Sequence, residues 1–250
     1  MGGCNHAELP LLSEPSLTPT DTPTSINSSS PTPTDMPTSI DSSSPTPTDT
    51  PTSNDSSSPT PTDTSPFCSY QSVLQNKTEF FSTDAKKNLY VDQLNQAVSD
   101  DSSVTVKVIK FAIVDLEKDG TSEVILWLDV NNNDSYGFEI LRYQDGTIYG
   151  YTIWYRTFMD LKADGTFSFS SGAAGNGFGT VKFTENGYTM DKISYSESSY
   201  DSNNNQIISY FVNQESANED DFLSAIKKQS EKTGATWYEF INDNIESTLS

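Results

Sequence analysis

The densest chemistry in the chain lies in nine consecutive residues, Asp115-Leu116-Glu117-Lys118-Asp119-Gly120-Thr121-Ser122-Glu123. Acids stand at positions 1, 3, 5 and 9 of this segment, with glycine at 6. A calcium ion takes about six to eight oxygen ligands, and one tight turn with this spacing can supply several of them. On that reading Asp115, Glu117 and Asp119 contribute carboxylates, Thr121 its carbonyl and Glu123 the closing carboxylate, while Gly120 permits the sharp bend. Both flanks, Phe111 to Val114 and Val124 to Leu128, are apolar and strand-like. The segment is therefore not a helix-flanked EF-hand, whose twelfth-position Glu it also lacks.

The run FAIVDLEKDGTSEVIL resembles the D-x-D-x-D-G-x-x-E-L segments of FG-GAP and VCBS-type repeats. It is also similar to a segment found in Gram-positive surface lipoproteins, which begin with short helices and end on an aromatic helix. The resemblance implies a calcium-holding loop that buttresses β-structure, and several copies of it would imply a propeller. Here Glu117 replaces the usual Asp or Asn, Lys118 places a positive charge inside the loop, and no second full copy exists. The stretch Asp160-Leu161-Lys162-Ala163-Asp164-Gly165-Thr166 echoes the motif without its middle and ninth-position acids, so a propeller is not expected.

Other chemistries are excluded by residue type. The single histidine is His6, outside the folded part, which removes Ser-His-Asp triads, Cys-His dyads and histidine-based zinc sites. Carboxylate-pair glycan hydrolysis survives because acids are plentiful, but no spacing singles out a pair. The glycine-rich stretch Gly172 to Gly179 precedes a strand rather than a helix, so it reads as a loop or bulge and not as a phosphate cradle. The polar runs at 131–135 and 201–205 read as exposed turns. Aromatic residues offer the second candidate surface. In the strand-like run Thr147 to Tyr155, Tyr149, Tyr151 and Tyr155 share one face and Trp154 takes the other. One face packs in the core, and the other presents Tyr and Trp rings to a sugar or a partner.

The elements that must position these groups lie after the last proline. All 13 prolines fall at or before Pro66. Residues 1–65 are dominated by Ser, Thr, Pro, Asp and Asn, and a 14-residue unit recurs through them from Ser25. Such a segment cannot bury enough apolar surface to offset ordering entropy of about 1–2 kcal/mol per residue, so a disordered stalk is expected. The Met1-Gly2-Gly3-Cys4 start is similar to a trimmed bacterial lipobox, which implies a lipidated Cys4 and a place on the outer face of a bacterial cell.

Residues 66–250 read as one α+β domain. Helical spacing covers Tyr70 to Phe81 and Leu89 to Val98. Period-two patterning then gives about seven to eight strands in an antiparallel meander, with Asp119-Gly120, Asp145-Gly146, Asp164-Gly165 and Asn186-Gly187 as turns. Helices return at Phe222 to Ile226 and from Trp237 to Leu249. The net charge of −21 repels nucleic acid and anionic lipid, which leaves cations, neutral glycans or a basic protein as partners. The sequence thus points to a monomeric surface-tethered binding module steadied by calcium, whose ligand is a cell-wall glycan or a surface protein. The alternatives are a carboxylate-dependent glycan hydrolase and a structural spacer.

Overall fold

Twelve strands and four α-helices make up the described residues, 65–172 and 174–250, of the computed structural model. The repeat segment, Cys4 and the expected stalk lie outside the described residues.

Helix α1 (Pro66–Leu74) starts with proline at its first turn, where a missing N–H costs nothing. Two short strands follow, β1 (Phe80–Ser82) and β2 (Lys87–Leu89), then the one-turn helix α2 (Asn95–Val98). Strands β3 (Val106–Val114), β4 (Glu123–Val130), β5 (Asn133–Gln144) and β6 (Thr147–Trp154) run as consecutive hairpins. A second run holds β7 (Phe167–Gly172), β8 (Gly175–Thr184), β9 (Gly187–Tyr200), β10 (Gln206–Val212) and β11 (Glu215–Ala217). Helix α3 (Glu219–Ser230), strand β12 (Tyr238–Glu239) and helix α4 (Asn242–Thr248) close the chain.

The expected α+β class holds, but the strands form two sheets rather than one meander. The first has the order β12-β3-β4-β5-β6-β1-β2, and the second β11-β10-β9-β8-β7. β4 shows why the first sheet is buried on both faces. Val124, Leu126, Leu128 and Val130 enter one core, with Tyr70 and Leu74 of α1 and Ile245 of α4. Ile125 alternates into a second core, shared with Val181 and Phe183 of the other sheet. A strand covered on both faces reads as a continuous apolar run, as this one does.

Local turn chemistry places the hairpins. Asp145 and Gly146 both take positive φ (50° and 84°), as a two-residue turn with the right-handed twist requires. Asn131 and Asn132 do the same between β4 and β5 (53° and 64°). The rest of that polar run, Asn133 to Ser135, belongs to β5 rather than to a turn.

Four expectations need correction. The helix expected from Trp237 to Leu249 is strand β12, paired with β3, followed by helix α4, which begins only at Asn242. The helix expected to Phe81 ends at Leu74, because Asn76 turns to φ 59° and closes it. Phe80 and Phe81 instead pair with Leu89 and Asn88, and Phe81 pairs with Tyr149 in a parallel bridge. Their i, i+1 placement splits them between faces, which no local periodicity reveals. The helix expected from Leu89 to Val98 is a strand end, a 3-10 turn and the single turn of α2. The glycine-rich segment is largely strand: Gly177 approaches β9 so closely that a Cβ there would collide with the Ser194 carbonyl oxygen.

Candidate functional site

The acidic loop joins β3 to β4, and its four acids divide into two pairs with different partners. Asp115 accepts the backbone N–H groups of Asp119 (3.2 Å) and Gly120 (2.9 Å), and Asp119 accepts that of Thr121 (2.8 Å). These bonds shape the turn, with Lys118 and Gly120 at positive φ. The other two acids point inward. Glu123 is fully buried and accepts the Leu116 N–H at 2.9 Å. Glu117 accepts the Phe183 N–H of β8 at 3.2 Å.

Between the inward pair lies Arg142 of β5. Its Nη2 is 2.8 Å from Glu117 Oε2, an ionic contact outside hydrogen-bond alignment. Its Nε is 3.9 Å from Glu123 Oε1, too far for a hydrogen bond. Burial, reinforced by Asp119 and Glu117, pushes the Glu123 carboxyl up to about 8, against the opposing pull of Leu116 and Arg142. Arg142 also lies over the Phe183 ring at 5.8 Å. The cluster therefore pins the β3–β4 loop and β5 of one sheet to β8 of the other.

Of the five residues expected to hold calcium, Asp115 and Asp119 accept backbone N–H groups of the loop, Thr121 donates one of them, and Glu117 and Glu123 face Arg142. Among the described residues no group of three or more His, Cys, Asp or Glu side chains is arranged for a metal ion. Two of the acids face a guanidinium and two face their own backbone, so each acid already has a partner within the protein. Arg142 was invisible to a reading of the loop alone, because it enters from a neighbouring strand.

The echo motif Asp160 to Thr166 packs directly on this loop. Leu161 and Leu116 enter the same core. Gly165, at φ 79°, lies where a Cβ would meet the Asp115 carbonyl oxygen at 2.7 Å. Here too the acids have internal cations: Asp160 pairs with Lys162 at 2.9 Å and Asp164 with Lys232 at 2.8 Å. Burial alone would raise the Asp164 carboxyl, but hydrogen bonds from Lys232 and Thr166 prevail and hold it at about 2. Gly165→Ala should destabilise the head by about 1–3 kcal/mol, from positive-φ strain plus the backbone clash. Chemical denaturation checks this, and an unchanged midpoint would mean that the two loops do not need their close contact.

The aromatic residues of β6 also separate. Tyr151 is 1% exposed, lies against Phe183 (4.7 Å between ring centroids) and donates its hydroxyl to the Thr184 carbonyl. Tyr155 is half-buried and stacks on Phe138 at 6.0 Å. Tyr155 packs against the core, while Tyr151, though buried, also lines a cavity beside Tyr149. The second sheet covers this face of β6, and that covering was not legible from one strand. Trp154 is 57% exposed on the opposite face, beside Tyr136 at 4.8 Å.

Tyr149 remains half-open, and its neighbours make a site. Cross-strand pairing sets Asn88, Phe81, Tyr149 and Arg142 in one row across β2, β1, β6 and β5. The rings of Phe81 and Tyr149 meet edge to face, 5.9 Å apart at 72°. Phe80 and Leu89 turn to the helix side, and no side chain of β1 or β2 joins the core between the sheets. The row therefore runs from a covered end at Arg142 to an uncovered end at Phe81 and Asn88. Its open end floors a cavity of ≈ 590 Å³, walled by Gln144 and Asp145 of the β5–β6 turn and by Glu185 and Asn186 of the β8–β9 turn. A second cavity of ≈ 590 Å³ adjoins it, sharing Phe81, Asn88 and Thr147 and reaching Ser69 and Ser72 of α1. Phe81 and Asn88 were missed in the sequence, because a parallel bridge to a distant strand leaves no local signal.

No protein-family model, curated protein or solved structure matches this chain, and the chemistry of the site is carried by its own residues.

Proposed function

We propose that residues 66–250 form a carbohydrate-binding head, displayed on a bacterial surface by a lipid-anchored Cys4 and the repeat segment that follows it. The observation that carries this reading is the uncovered aromatic corner of Phe81 and Tyr149, set in a groove whose walls are amides, hydroxyls and carboxylates. Sugar rings present an apolar C–H face to an aromatic ring and hydroxyls to polar walls, and mostly apolar floors with a few placed polar groups are the usual form of small-ligand sites. The acidic loop has a different part in this reading. Glu117, held by Arg142, accepts the Phe183 N–H of β8, and this link between the sheets supports one wall of the groove relative to its floor. The two acids whose carboxyls are pushed up to about 8, Glu123 and Glu139, are both fully buried and line neither cavity.

A glycan array with the full-length protein tests the reading. Tyr149→Ala is expected to weaken binding to the bound saccharides about tenfold, since truncating an anchoring aromatic costs about 1–2 kcal/mol, while leaving the melting temperature within a few degrees. Trp154→Ala, on the opposite face, should leave binding unchanged. A blank array, or binding lost with Trp154 and kept without Tyr149, would remove the groove as the site.

A further inference from the structure

Resting on that reading, we infer that the ligand is a chain of several sugars carrying free amino groups, and that it lies along both lobes of the groove. The two cavities meet at Phe81, Asn88 and Thr147, so a ligand seated on the aromatic corner has open groove on both sides. Each lobe is ≈ 590 Å³, within the range of about 300–1,000 Å³ that holds one compact ligand, and the pair together exceeds it.

Charge along the groove sets the chemical class. Glu185 stands at one end, Asp145 at the β5–β6 turn and Glu79 at the α1 end, all exposed. None of the three has an ion-pair partner among the described residues. No lysine or arginine lines either lobe. A uronic acid, sulfate or phosphate group would meet only like charge there. A glucosamine-type chain brings one ammonium per sugar and so offers a cation to each lobe's carboxylates. Acetylating those amines leaves the stacking faces intact and removes the charge complement. Single exposed charge pairs contribute little, so discrimination comes from several acting along one chain.

Isothermal titration of the full-length protein in low-salt buffer tests this with four probes: a glucosamine dimer, a glucosamine hexamer, an N-acetylglucosamine hexamer and hexalysine. The glucosamine hexamer is expected to bind about tenfold tighter than its dimer and about tenfold tighter than its acetylated counterpart. Glu79→Gln, at the α1 end, should weaken the hexamer and leave the dimer unchanged. Equal affinity for the two hexamers overturns the amino-group selection, and a dimer as tight as the hexamer overturns the second lobe. In both cases a Tyr149-dependent saccharide site survives. Hexalysine binding as tightly as the glucosamine hexamer would make the groove a general surface for basic chains and overturn the saccharide assignment. Failure of all three saccharides beside a positive glycan array overturns this inference alone, and a blank array removes the carbohydrate reading as well.

Discussion

Arg142→Ala is expected to lower the stability of the head by about 3–5 kcal/mol, the usual cost of removing one partner from a buried ion pair. The physical reason is the position of Glu117. Its side chain is only 13% exposed and it faces an arginine side chain that is 18% exposed. Without the guanidinium, the Glu117 carboxylate is left among Phe183, Tyr151 and Glu123 with no compensating cation, and the buried Glu123 loses its nearest positive charge. For a domain of this size such a loss lowers the melting temperature by about 10 °C. A second variant separates charge from packing. Arg142→Met with Glu117→Gln removes both charges and keeps most of the volume, so it should recover much of the lost stability.

The same measurement bears on the metal. With Arg142 as the cation between Glu117 and Glu123, melts of the wild-type protein in calcium and in chelator are expected to coincide. Arg142→Ala opens a cluster of uncompensated acids, and that variant alone should gain stability from calcium. A calcium-dependent rise in the wild type that disappears in Glu123→Ala would overturn the arginine assignment and restore the loop as a calcium site.

The second large effect concerns pH. Stability is expected to fall by a few kcal/mol between about pH 5 and pH 8, and Glu139→Gln should flatten much of that slope. Glu139 is fully buried on the helix side of β5. One oxygen accepts the Thr152 hydroxyl at 2.8 Å, and the other has no partner. Burial pushes its carboxyl up to about 8, and the nearby charge of Asp84 adds to this against the Thr152 hydrogen bond. The folded protein thus holds a proton that the unfolded chain releases near pH 4.5. Between those two values the native state binds more protons than the unfolded state, so stability declines as pH rises and levels off above about 8. Glu123 acts in the same window and in the same direction. Asp164 acts oppositely, since its carboxyl is held at about 2 and its contribution is lost as pH falls below about 4. Maximal stability should therefore lie near pH 5. Urea titrations across this range check it, and a wild-type slope that Glu139→Gln leaves intact would assign the dependence elsewhere.

Several parts of the molecule were legible before any coordinates. The four long strands from Val106 to Trp154 follow from alternating or continuous apolar runs and from turns whose residues tolerate positive φ. Those signals are local: a hairpin partner lies only a few residues away, and Asp145-Gly146 alone fixes how β5 meets β6. The acidic turn was legible as a turn for the same reason, because Asp115 and Asp119 satisfy N–H groups within five residues of themselves. The α+β class also follows from composition and patterning.

What each acid and each ring does was decided only in three dimensions. Glu117 and Glu123 resemble calcium ligands by spacing, yet the cation they face comes from β5, and its identity depends on which strand packs beside the loop. Tyr149 and Tyr151 share one face of β6, but only Tyr149 stays half-open, and Tyr155 falls in the 3-10 turn after the strand. Phe81 reaches Tyr149 through a parallel bridge between segments far apart in sequence. In each case the deciding term is which surface another element covers, since burial changes the cost of a charge and the availability of a ring. Sequence periodicity states which residues share a face, and only tertiary packing determines what that face meets.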